Sequence, residues 1–78
     1  MKYIICRRDE SGLLIPEGPF NTLKEAEVKL QLNYENDLKY YDDNVRDSSF
    51  SMFGNGYTIE LVDCGANTVE QHIFSVRD

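Results

Sequence analysis

The stretch Tyr34 to Asp47, YENDLKYYDDNVRD, gathers the side chains best suited to recognition in this chain. It holds five carboxylates (Glu35, Asp37, Asp42, Asp43, Asp47) and three tyrosines (Tyr34, Tyr40, Tyr41). Only Lys39 and Arg46 oppose them, so five acidic less two basic groups leave −3 of the chain's formal −6. Carboxylates spaced along a helix imitate a row of phosphates, and tyrosines add rigid contact area with a polar tip. Such a face repels nucleic acid and anionic membrane and attracts a basic protein surface. Glu35, Asp37, Asp42 and Asp43 are the candidate phosphate substitutes, with Tyr40 as an anchor. The plain alternative is a solvated helix end, with Tyr34 and Tyr41 in the core and the acidity serving solubility.

Catalytic groups are sparse. His72 is the only histidine, so any histidine-based triad would have to be built around it. It falls in a strand-like run, on the same face as Glu70 and Phe74. A zinc site from His72, Cys6 and Cys64 lacks a fourth soft ligand. Asp37, Asp42 and Asp43 do not form a calcium loop, because the run has no glycine at its centre. Gly54-Asn55-Gly56 has no following helix or lysine and reads as a hairpin turn, not a phosphate loop. No Cys–His pair stands at a recognisable spacing. The expectation is a non-enzymatic protein without cofactor or metal.

The elements that must position these groups follow from local patterns. Lys2 to Arg8, KYIICRR, reads as a central strand. Leu13-Leu14-Ile15 is a short apolar arm stopped by Pro16, which tolerates only an edge position. Glu17 to Phe20 reads as a loop. Thr22-Leu23-Lys24-Glu25 has the spacing of a capping box, in which Thr22 accepts from Glu25 and the Glu25 carboxylate reaches back to Thr22. Leu23, Ala26, Leu30, Tyr34, Leu38 and Tyr41 then recur at steps of three and four, and the stripe extends to Val45 if the helix does. That predicts a helix from about Leu23 to about Tyr41 or further. Ser48-Ser49 breaks the pattern. Phe50–Phe53 and Tyr57–Val62 flank the Asn-Gly turn signal as a hairpin, with Tyr57, Ile59 and Leu61 on one face. Asp63 to Asn67 reads as a turn, and Thr68 to Val76 as the last strand. The fold class is α+β: an antiparallel sheet of three or four strands with one long helix on one face, in the order strand, short arm, helix, strand, strand, strand.

Seventy-eight residues make one domain, residues 1–78. Apolar residues are 41% of the chain, too patterned for disorder and too few for a deep substrate cavity beside a full core. The eight basic residues are scattered, which argues against direct nucleic-acid binding. No apolar run approaches the roughly 20 residues of a membrane span. The apolar run near the N-terminus is shorter than the roughly seven residues that a secretory signal needs. The expected location is the cytoplasm, where Cys6 and Cys64 stay reduced and buried. A disulfide would need their strands to be neighbours. Val28 and Leu32, four apart on the far side of the helix, could seed a dimer or partner contact, as could an open sheet edge. Alternatively, a loop or the Leu13–Ile15 arm covers them.

The stretch Gly18 to Ala26, GPF-x-T-x-x-E-A, resembles the strand-to-helix junction of the peptidoglycan-binding SPOR repeat. The match spans one junction where SPOR domains have two, and reflects shared capping chemistry. As a type, the chain is similar to small acidic phage-encoded inhibitors, including anti-CRISPR and DNA-mimic proteins. The shared features are single-domain length, the charge of −6, the YENDLKYYDD run and the absence of catalytic groups. That resemblance implies a protein that blocks a nucleic-acid-binding surface of a host enzyme in the host cytoplasm. The alternative is a structural or oligomerisation module that works through apolar contacts.

Overall fold

A computed structural model describes residues 1–9, 11–51, 55–62 and 68–77. The elements run β1 (Lys2–Arg8), β2 (Leu14–Phe20), α1 (Leu23–Tyr41), a 3-10 turn (Asp42–Asn44), β3 (Val45–Ser51), β4 (Gly56–Leu61) and β5 (Thr68–Val76). The element order agrees with the sequence patterns. The sheet, however, has five antiparallel strands rather than three or four, in the order β2-β1-β5-β4-β3. The difference arises at two places. The Leu13–Ile15 arm extends through the expected loop to Phe20, and β3 begins at Val45 instead of Phe50.

β2 accommodates Pro16 and Pro19 because it is an edge strand, where a missing N–H breaks no second ladder. Its register against β1 shifts between Tyr3 and Ile5. Gly18 sits there at φ 122°, a backbone geometry open to glycine, beside a cis Gly18–Pro19 bond. Ser48 and Ser49, read as breakers, lie inside β3 and pair with Ile59 and Thr58. Val45 starts that strand and does not extend the helix.

α1 begins as its spacing predicts. The Thr22 hydroxyl accepts from the Glu25 N–H at 3.1 Å. The return contact differs by one residue: Glu25 Oε2 accepts from the Asn21 N–H at 3.3 Å, not from Thr22. The helix lies on one face of the sheet. Ala26 and Leu30 pack with Ile5, Tyr57, Ile59, Val69 and Ile73 as a single core, and Tyr3, Tyr34, Leu38 and Phe50 close around it. Tyr57, Ile59 and Leu61 all point inward, as their alternation requires. Among the described residues, no helix is long and apolar enough to cross a membrane. The expected Met52–Gly54 part of the hairpin, the Asp63–Asn67 turn and Cys64 lie outside the described residues.

Candidate functional site

One transverse row of the sheet carries polar groups into the core. The register sets Arg7 beside Gln71 and Gln71 beside Tyr57, so three neighbouring strands present polar side chains beneath the same turn of α1. Asp37 descends onto them. Its carboxylate accepts from Arg7 Nη1 at 3.1 Å on both oxygens, from the Tyr57 hydroxyl at 2.5 Å and from Gln71 Nε2 at 3.5 Å. Asn33, one turn earlier, donates to Gln71 at 2.8 Å and to Glu17 at 3.0 Å. Lys29 pairs with the other Glu17 oxygen at 3.4 Å. No buried side-chain polar atom among the described residues lacks a hydrogen bond. Such a network ties β1, β2, β4 and β5 to the helix and specifies one docking of the two layers.

Its electrostatics follow from burial. Desolvation, then the Asp37 hydrogen bond and charge, push the Tyr57 phenol far above its ordinary 10.0, so it remains a donor. Burial pulls the Arg7 guanidinium down, but its bond to Asp37 and the carboxylate charge outweigh this and leave it raised.

The expected docking face is thereby corrected at one position. Asp37 is only 7% exposed and is a core residue, not a phosphate substitute. The helical period explains why: Asp37 follows Leu30 by seven residues and precedes Tyr41 by four, so it belongs to the inward stripe. The same spacing was readable in advance. Arg7 and Gln71 were readable too, since each alternates with inward apolar neighbours, Ile5 before one and Val69 and Ile73 around the other.

The other four candidates are exposed together around the C-terminal end of α1. Glu35 lies on its outer face, and Asp42 and Asp43 follow its last turn. Tyr40 is 80% exposed and stands edge-on to Tyr41, with ring centroids 4.9 Å apart. Asp42 ends the helix at φ 42° and ψ −111°, with its N–H bonded to the Leu38 carbonyl. Beside them lies an open depression of about 380 Å³ lined by Arg7, Asp9, Asn36, Asp37, Tyr40 and Tyr41. Asp9 is held below the usual carboxylate range, chiefly by the Ser11 hydroxyl at 2.6 Å, and so stays ionised at its rim. Carboxylate at the rim and an aromatic face at the wall suit a lysine or arginine side chain.

Two other surfaces are less equipped. Val28 and Leu32 are half-exposed on the outer helix face, in a shallow depression with Lys24, Glu27 and Gln31. The Leu13–Ile15 arm is itself exposed and does not bury them. His72 lies on the sheet face away from α1, with Nε2 at 3.8 Å from Glu70. The sheet brings Cys6 directly opposite it, a pairing that linear spacing hides. Among the described residues, no group of three or more His, Cys, Asp or Glu could hold a metal ion.

No protein-family model, curated protein or solved structure matches this chain.

Proposed function

We propose that this is a non-enzymatic protein-binding inhibitor. It docks the acidic end of α1 onto a basic surface of a partner and competes there with nucleic acid, in the manner of phage-encoded anti-CRISPR or DNA-mimic proteins. Glu35, Asp42 and Asp43 stand in for phosphates, and Tyr40 anchors the contact. Asp37 contributes by holding the end of the helix in place.

The observation that carries this reading is the cost of Asp42 and Asp43 to the fold. They follow the last turn of α1, where the dipole disfavours negative charge, and the single 3-10 turn they open is too short to offset it. Asp42 also takes a positive φ that glycine would adopt more easily. Among the described residues, neither side chain makes a hydrogen bond or ion pair that would offset this. Local costs of this kind cluster at functional surfaces.

The test is a pull-down from bacterial lysate, washed at low and at high salt, with the wild-type chain and with Asp42→Lys/Asp43→Lys. A nucleic-acid-handling protein retained at low salt, released at high salt and lost in the double variant supports the proposal. Retention by the folded double variant sinks it. The second reading, an oligomerisation module, draws on the exposed pair Val28 and Leu32, and predicts a self-association that Leu32→Glu abolishes and salt does not.

A further inference from the structure

The sheet ends in β2 on one side and β3 on the other. The two edges are closed to a further strand in different ways. β2 lacks the N–H groups of Pro16 and Pro19 and bends through Gly18, so no regular ladder can run along it. β3 has no proline. Its register shift between Val45 and Asp47 puts Arg46 in a bulge, and from Asp47 to Ser51 the strand pairs regularly with β4.

The direction of the β3 peptide groups follows from the ladder behind it. The Ile73 N–H donates to the Asn55 carbonyl at 2.7 Å, so Asn55, Tyr57 and Ile59 turn their peptide groups toward β5. Gly56, Thr58 and Glu60 turn theirs toward β3, where they meet Ser51, Ser49 and Asp47. Ser48 and Phe50 therefore present their N–H and C=O groups to the outer edge. The Ser48 N–H agrees with this: it donates to Oδ1 of the neighbouring Asp47 at 2.9 Å. That carboxylate stands where the carbonyl of an added strand would have to come.

We propose that Asp47 latches β3 as a strand-accepting edge, and that the β3 of a second copy adds to it, antiparallel, when the latch is removed. The occupant follows from self-complementarity. A two-fold axis normal to the sheet through Ser49 pairs Ser48 of each copy with Phe50 of the other, so each edge donor meets an edge acceptor. Asp47 falls opposite the second copy's Ser51, and Ser49 opposite its own mate, so no like charges meet directly across the seam. The prolines of β2 keep the far edges shut, and association stops at two chains. Glu35, Tyr40, Asp42 and Asp43 lie outside β3, so the latch stands or falls independently of the acidic docking face.

Sedimentation equilibrium over a concentration series, with amide hydrogen exchange read by NMR on the same samples, tests this. Wild type is expected at the 9.0 kDa of one chain, and Asp47→Ala at twice that mass and no more. Asp47→Asn keeps an acceptor for the Ser48 N–H without the charge and should stay monomeric. In dilute Asp47→Ala the Ser48 amide should exchange about fivefold faster than in wild type. In the dimer the Ser48 and Phe50 amides should both become slower than in wild type. Asp47→Ala/Ser48→Pro lacks the edge donor and should return to monomer. The exchange pattern decides the matter if that double variant fails to fold. An Asp47→Ala chain that stays monomeric at high micromolar concentration overturns the inference, as does a wild-type dimer. So does an Asp47→Asn chain that dimerises as Asp47→Ala does, since charge alone would then guard the edge. Association that leaves the β3 amides unprotected, or that Leu32→Glu abolishes, overturns it too.

Discussion

The Tyr57 hydroxyl donates to Asp37 Oδ2 at 2.5 Å and thereby fastens β4 to the C-terminal part of α1. Both groups are buried, and Arg7 completes the pair from β1. The layers of this small domain are registered by a charged group as much as by apolar packing. The consequences are measurable.

Removing the carboxylate should be expensive. Asp37→Ala strands the Arg7 guanidinium, which is 28% exposed and so partly rescued by water, and leaves the Tyr57 hydroxyl without its acceptor. The expected loss is about 2–4 kcal/mol. Tyr57→Phe should lose less, about 1–3 kcal/mol, because the Arg7–Asp37 pair survives. Urea unfolding followed by circular dichroism measures both. A loss under about 0.5 kcal/mol for Asp37→Ala would mean that the network does not stabilise the fold.

Stability should fall at high pH through the same phenol. Tyr57 is raised in the folded state above its ordinary 10.0, first by burial and then by Asp37. Below pH 10 both states hold the proton and the contribution is complete. Above it the unfolded chain releases the proton and the folded one keeps it, so folding weakens by about 1.4 kcal/mol per pH unit. Urea midpoints from pH 8 to 11 should converge for wild type and Tyr57→Phe, since the variant has no phenol to release. Parallel curves would contradict the assignment.

Asp42→Gly should stabilise the fold while weakening partner binding. Glycine relieves the positive φ and removes an acid from the negative pole of the helix, for a gain of about 0.5–1.5 kcal/mol. A rise in melting temperature alongside a loss of the captured partner would mark the trade of stability for function. A fall in melting temperature would show that the carboxylate itself supports the turn.

Gly56 should tolerate no side chain. A Cβ there would overlap the His72 ring and the Gln71 carbonyl in the adjacent strand. Gly56→Ala is expected to cost about 2–3 kcal/mol through displacement of β5. His72→Ala should recover part of that loss, which a thermal melt of the double variant would reveal.

Much of this was legible in the chain itself. The period-two alternation of Tyr57, Ile59 and Leu61 announced an inward face, and Thr22 with Glu25 announced the helix start to the residue. The misreadings share a cause. Pro16 and Gly18 argued locally for a loop, yet an edge strand tolerates both. Ser48 and Ser49 carry little strand preference, but pairing with β4 supplies what their own propensity lacks. The charge of Asp37 points to the acidic face, but its helical position puts it inside.

The sequence by itself determined the kind and order of the elements, because apolar periodicity, capping and turn chemistry act between residues a few positions apart. Only the tertiary structure decided the strand order β2-β1-β5-β4-β3, the partners of Asp37, the meeting of Cys6 with His72 and the exposure of Tyr40 beside a depression. Those facts depend on pairings between residues up to 74 positions apart, as for Lys2 and Val76, where no local pattern specifies the register.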